Sequence, residues 1–350
     1  MRSSTSCHAR VSATLTSYGQ TTVTCGPTTR KHYPEPMDPL LLVVIVAGVA
    51  CAFCWIASLI TKDTSWVDRL WSVVPVVYVW IFAIAGIAAG VDAVRLVVMA
   101  VLVTAWGARL TFNFARKGGY TGMEDYRWAI LRGRMKPWQF QVFNLFFIVL
   151  YQNALLVLIT LPAYIAFLHP VRFGGWDAAF SALFAAFLVG EFIADQQQWD
   201  FHRAKKAAGG TLEPGFLTTG MFAYSRHPNF FFEQAQWWAF YAIGATAAVS
   251  AGLGVWGGAL NWTIAGAALL TLLFIGSTIF TESITAAKYP AYAGYKRTTS
   301  MLVPLPPPTR RVEGAEDRLT AGNEPRLRRP RIPGGSATAT STRRARRRRS

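Results

Sequence analysis

The chain has 350 residues, of which 52% are hydrophobic and only 15% are charged. Soluble globular domains carry about 25% charged residues. That deficit, together with 13 Trp and 23 Phe, excludes an ordinary soluble enzyme and points to a multi-spanning membrane protein. The net charge of +17 sits mostly at the ends: residues 310–350 contribute +9, residues 1–36 contribute +3, and the long middle holds the remaining +5.

Residues 1–36 are rich in Ser and Thr and contain no apolar run, so they form neither a signal peptide nor a span. Two readings stand side by side: a disordered leader, or a mis-called start with translation beginning at Met37. Of the four cysteines, Cys51 and Cys54 have CxxC spacing inside an apolar run. No histidine or second pair accompanies them, so they read as packing residues rather than a zinc site, and no metal is expected.

A membrane helix needs about 20 apolar residues. Runs of that kind lie at 38–60, 70–90, 95–115, 140–168, 177–199, 230–250 and 257–281. They predict an all-α polytopic fold of about seven transmembrane helices. Pro162, near the end of the fourth run, predicts a kink there or a continuation into the interface. The basic residues fall in loops 116–139 and 200–229 and after the seventh run, whereas the intervening loops hold few. The positive-inside rule then predicts an external N-terminus and a cytoplasmic C-terminus, with the protein in the cytoplasmic membrane.

Polar residues inside spans are costly and face partners or cavities. Four faces emerge from helical spacing. The third run carries Trp106, Arg109 and Asn113, with Lys117 extending the face. The fifth carries Glu191, Asp195, Gln198 and His202. The sixth carries Glu233 and Gln236, and the seventh Thr278, Glu282 and Thr285. All four grow more polar toward the same end, which predicts a polar chamber open to the cytoplasm. The simpler alternative is interhelical pairing, with Arg109 bound to Glu191 and Glu233 to a loop arginine.

Two loops could hold a ligand. The segment 218–230 leads through Ser225-Arg226-His227-Pro228 into the sixth run. Proline suits the first helical position, and a helix start offers free N–H groups to an anion. Arg226 adds a bidentate donor and His227 a second one. The glycine-rich loop 116–128 offers Lys117, Arg127 and Trp128 for phosphate and base. No dinucleotide or phosphate-loop fingerprint is present, and no nucleophile motif. Residues 310–350 cannot bury enough surface to order themselves and read as a basic tail beside anionic lipid, with nucleic acid not expected as a partner.

Ala194-Asp195-Gln196-Gln197 with Phe201, then Thr219-Gly-Met-Phe-Ala-Tyr-Ser-Arg-His-Pro-Asn229 and Glu233, resembles the bacterial DUF1295 family of the steroid 5-alpha-reductase superfamily. Asp68 with Trp71, Arg109-Leu110, Glu124-Asp-Tyr-Arg127, Glu282, Tyr295 and Ser300-Met-Leu-Val-Pro304 extend the match over about residues 60–305. The resemblance implies a seven-helix reductase over 37–308 that binds NADPH from the cytoplasmic side with its C-terminal half, about 176–305. It implies hydride transfer to the β-carbon of an α,β-unsaturated carbonyl in a lipophilic substrate. Asp195, Gln197, Tyr224, Arg226, His227, Asn229, Glu233, Tyr295 and Arg297 become cofactor contacts, with Arg109 and Arg127 as further ones. The steroid-converting members have a tyrosine on the third helix as carbonyl partner, where this chain has Trp106. Asp68 is the counterpart of their early carboxylate.

Isoprenylcysteine carboxyl methyltransferases, which use S-adenosylmethionine, also carry an Arg-His-Pro segment followed by Glu, and give the second reading. A non-catalytic lipid-binding or transport protein is the third. No inverted repeat supports transport.

Overall fold

The computed structural model describes residues 37–122 and 124–306. The expected leader, 1–36, and tail, 309–350, lie outside the described residues. Among those described, regular structure is helical: α1 (Pro39–Thr61), α2 (Trp66–Trp71), α3 (Val74–Ala88), α4 (Val94–Arg116), α5 (Tyr126–Arg134), α6 (Pro137–Phe143), α7 (Gln152–Leu168), α8 (Gly175–Ala207), α9 (Pro228–Ser250), α10 (Ile264–Lys288) and α11 (Tyr292–Thr298). A π-helical stretch, Asn144–Tyr151, joins α6 to α7.

Among the described residues, six rods are long and apolar enough to cross a bilayer: Pro39–Thr61, Trp66–Ala88, Val94–Arg116, Pro137–Leu168, Gly175–Ala207 and Ile264–Lys288. The sixth expected run is α9, equally long at 23 residues but more polar. It can afford that polarity because it lies inside the bundle, with 13 buried residues, packed against α7, α8 and α10. The fold is that of an integral membrane protein.

The bounds of two helices, α10 and α8, differ from the sequence reading. The seventh run was expected at 257–281, but α10 begins at Ile264 and continues to Lys288. Positive-φ turns at Gly252, Gly254 and Gly257 delay its start. The Asn261 side chain accepts from the Thr263 N–H at 3.1 Å, which shapes the turn before the helix. At the other end, Glu282 looked like the edge of a span but is buried by partners from other segments, so the helix runs on. Likewise α8 reaches Ala207; its 33 residues measure about 50 Å, beyond the roughly 30 Å hydrocarbon core.

Pro162 neither ends nor visibly interrupts α7. It deprives the Leu158 carbonyl of its usual helical donor. Gly266 of α10 approaches that same carbonyl, and Gly244 of α9 lies against Pro162 itself; a Cβ at either glycine would collide. The proline thus lies where α7, α9 and α10 pack tightly together.

The bundle has two polar ends. At one, Arg95 is 2% exposed and holds Asp177 at 2.7 Å and the carbonyls of Val171 and Arg172. The other, here the basic end, gathers the segments after α1, α4, α8 and α10. Arg69 donates to the Gly119 carbonyl at 3.0 Å and to Asp63 at 2.6 Å, Glu124 receives Thr64 and Arg132, and Lys205 reaches the Gly215 carbonyl and the Tyr289 hydroxyl.

Candidate functional site

Three of the four expected polar faces meet inside the bundle. Arg109 of α4 lies 2.6 Å from Glu191 and 2.6 Å from Asp195 of α8, and 3.0 Å from Glu233 of α9. The Trp106 indole N–H donates to both Glu233 oxygens at 3.0 Å, and Trp237 adds a third donor at 3.1 Å. The two indoles pack edge to face with centroids 4.9 Å apart. Asn113 donates to Asp195, and Gln236 to Glu191 at 2.6 Å. All of these side chains are buried. The cluster therefore holds one guanidinium and three acidic side chains.

The amide nitrogens of Asn113 and Gln236 are both engaged, which fixes their oxygens. Those two buried oxygens receive no hydrogen bond. Buried acceptors without donors are uncommon and costly.

The fourth face does not join this cluster. Glu282 of α10 instead forms a second one at the basic end. Arg226 meets it at 2.6 Å, Lys296 at 3.2 Å, the His227 imidazole at 3.2 Å and the Tyr292 hydroxyl at 3.2 Å. Arg226 also donates to the carbonyls of Lys296 and Thr299. Every guanidinium nitrogen is thus engaged within the protein, where the sequence reading had expected a free phosphate clamp. Backbone bonds from Arg226 to Ser300 and from His227 to Met301 fasten the segment 300–305 across the start of α9. Burial pushes the Tyr292 and Tyr295 hydroxyls above the ordinary tyrosine range, so both remain protonated donors. Tyr295 donates to the Phe222 carbonyl and stacks on Phe216.

The remaining expected residues divide between these surroundings. Gln197 accepts from the Met221 N–H at 2.9 Å and lies against Gly220, which ties α8 to the loop before α9. His227 is the N-cap and Pro228 the first residue of α9, as its sequence implied, and no side chain caps that helix start. Tyr224 and Arg297 are exposed, and Asn229 is half-buried. Arg127 is held by Asp125, the N-cap of α5, and by Ser277 at 2.6 Å. Trp128 is buried among Phe143, Ile148 and Val149 and donates to Asp68 at 3.2 Å. Its face is therefore closed to a nucleotide base, contrary to the sequence reading, and Asp68 belongs to this third group. Trp237 was missed, although its i+4 spacing from Glu233 was available as a signal.

A groove of about 560 Å³ runs along the outside of α9 between α8 and α10, lined by Phe187, Phe231, Trp238 and Ile275. At 100° per residue, the groove residues 231, 234, 235 and 238 occupy the face of α9 opposite to Glu233, Gln236 and Trp237. The helix separates the groove from the ionic cluster.

Comparison with known proteins matches residues 54–299 to the family described as "Protein of unknown function (DUF1295)". A protein of Schizosaccharomyces pombe described as uncharacterized is 38% identical over 283 residues, covering 76% of this chain and 80% of that protein. No solved structure matches.

Proposed function

The chain belongs to the DUF1295 family, within the steroid 5-alpha-reductase-like superfamily, and from that premise we propose that it is a membrane-embedded NAD(P)H-dependent reductase of an activated C=C bond in a lipophilic substrate. One observation carries the reading: the division of charge along α9. At its N-terminus one carboxylate, Glu282, is surrounded by Arg226, Lys296 and His227. Six residues further on, about 9 Å along the helix, Glu233 belongs to a cluster of three acidic side chains around a single arginine. A ligand with an anionic part and a donor-rich or cationic part suits this axis.

A nicotinamide dinucleotide fits the residues present. Its carboxamide has the N–H donors that the Asn113 and Gln236 oxygens lack. Its phosphates suit the uncapped start of α9, with Lys296 and exposed Arg297 beside it. When bound, the cofactor supplies the hydride. The acidic excess around Glu233 favours positive charge developing next to it. Arg226 and Glu282 position the 296–305 segment rather than contact phosphate directly. Trp106 orients Glu233 and has no N–H left for a substrate carbonyl.

The same acidic excess beside two indoles also suits a sulfonium, so an S-adenosylmethionine-dependent methyltransferase is the second reading. Equilibrium binding of NADPH, NADH and S-adenosylmethionine to detergent-purified protein decides between them. NADPH binding in the micromolar range is the expected result. S-adenosylmethionine binding without NADPH would replace the reductase by the methyltransferase. The basic end is proposed to face the cytoplasm, with the N-terminus outside; a reporter fused after Pro308 that reads as external would invert this arrangement.

A further inference from the structure

The groove along the outside of α9 belongs to neither ionic cluster, and the helices that flank it, α8 and α10, are both long and apolar enough to span the bilayer. Its wall is apolar but for three side chains, Gln234, Trp238 and Thr271. Two of these are satisfied by the protein itself. The Trp238 indole N–H donates to the Thr271 hydroxyl at 3.0 Å, and that hydroxyl donates to the Ala267 carbonyl at 2.9 Å.

Gln234 is different. It is 7% exposed, and its Nε2 donates to the Phe230 carbonyl at 2.8 Å. A carbonyl can only accept, so this bond fixes which end of the amide is oxygen. Among the described residues no donor meets that oxygen. It is not sealed in as the Asn113 and Gln236 oxygens are, because Gln234 lines the groove. At the surface of a soluble protein, water would supply the donor. Between two spanning helices the surroundings are hydrocarbon, where an unpaired carbonyl is costly and an aliphatic side chain would fill the place without that cost. The partial negative charge on this oxygen calls for a ligand that brings its complement.

The groove narrows the choice of ligand. No acidic or basic side chain lines it, so a charged headgroup would shed its hydration and find no counter-charge. A primary amide would bring two N–H donors to one acceptor, whereas a hydroxyl brings one. Residues 231–242 of α9 follow the groove for about 16.5 Å, and Gln234 sits about 4.5 Å from the end that Leu302 and Val303 cover. Beyond Gln234 the wall is apolar apart from the closed Trp238–Thr271 pair. The volume of about 560 Å³ is that of a small-molecule site.

We propose that this groove is a second lipid site, separated by α9 from the ionic cluster, and that it takes a lipid alcohol. The single hydroxyl of that ligand donates to Gln234 Oε1, and its apolar body lies along α9 toward Ala242. Neither the groove nor its open oxygen depends on the reductase reading.

The test is equilibrium binding of tritiated farnesol and tritiated cholesterol to the full chain in phosphatidylcholine nanodiscs, with empty nanodiscs as the partitioning control. Each unlabelled alcohol and its O-methyl ether, which keeps the body and the oxygen but has no donor, then compete for the bound label. At least one alcohol is expected to bind saturably and to compete about tenfold better than its ether, the value of one neutral hydrogen bond. Gln234→Met keeps the length of the side chain and removes the acceptor, so it should cut that preference to less than about twofold while saturable binding persists. Gln234→Leu repeats the test should the first variant not fold. Ala235→Phe fills the groove from α9 and should abolish saturable binding. Four results overturn the assignment: no saturable binding of either alcohol, ethers that compete as well as the alcohols, a preference retained without the Gln234 amide, or binding retained by Ala235→Phe.

Discussion

The two ionic clusters at opposite ends of the first turns of α9 are built with reversed charge ratios. Around Arg109, three acidic side chains share one cation and two carboxamide oxygens receive no donor. Around Glu282, one carboxylate receives an arginine, a lysine, a histidine and a tyrosine. The second fastens the 296–305 segment onto the helix start. The first has unused capacity that packing alone does not require. Both places are buried and charged; what separates them is whether the hydrogen bonds close.

That contrast gives ordered expectations. Arg109→Leu removes the guanidinium that meets all three acids of a buried cluster and should cost about 3–5 kcal/mol, read as loss of the folded fraction in detergent; a fully stable variant would mean that the cluster is not buried together. Glu282→Gln strips the charge that Arg226 and Lys296 share and should cost about 3 kcal/mol, measured by the thermal midpoint and by proteolysis near residue 300. Gly266→Ala drives a methyl into the Leu158 carbonyl and should cost about 1–3 kcal/mol, on the same unfolding assay. Glu191→Gln removes one of three acidic groups that share Arg109 while keeping a side-chain oxygen for it, and should change stability by less than about 1 kcal/mol. If it destabilised as much as Glu282→Gln, the proposed difference between the clusters would disappear. Lys296→Ala, with a side chain 44% exposed, should leave stability within about 1 kcal/mol and weaken NADPH binding by about tenfold, checked by titration.

Much of this molecule is legible in its sequence. The apolar runs locate all seven long helices, because lipid demands long apolar segments and little else. The spacing of Trp106, Arg109 and Asn113, and of Glu191 and Asp195, finds the faces that meet. Pro228 marks the first turn of α9. Less legible was the fate of individual donors. Arg226 reads as a phosphate clamp until Glu282, 56 residues later, is seen to occupy it. Trp128 reads as a stacking platform until the α6–α7 rod covers it.

By itself, then, the sequence determined a membrane-spanning helical bundle, its basic end and the polar helix faces, because hydrophobicity and periodicity act over short stretches of chain. Only the tertiary structure decided that three faces meet while the fourth pairs with Arg226. Hydrogen-bond satisfaction depends on groups far apart in sequence, and no local pattern encodes which of them are already taken.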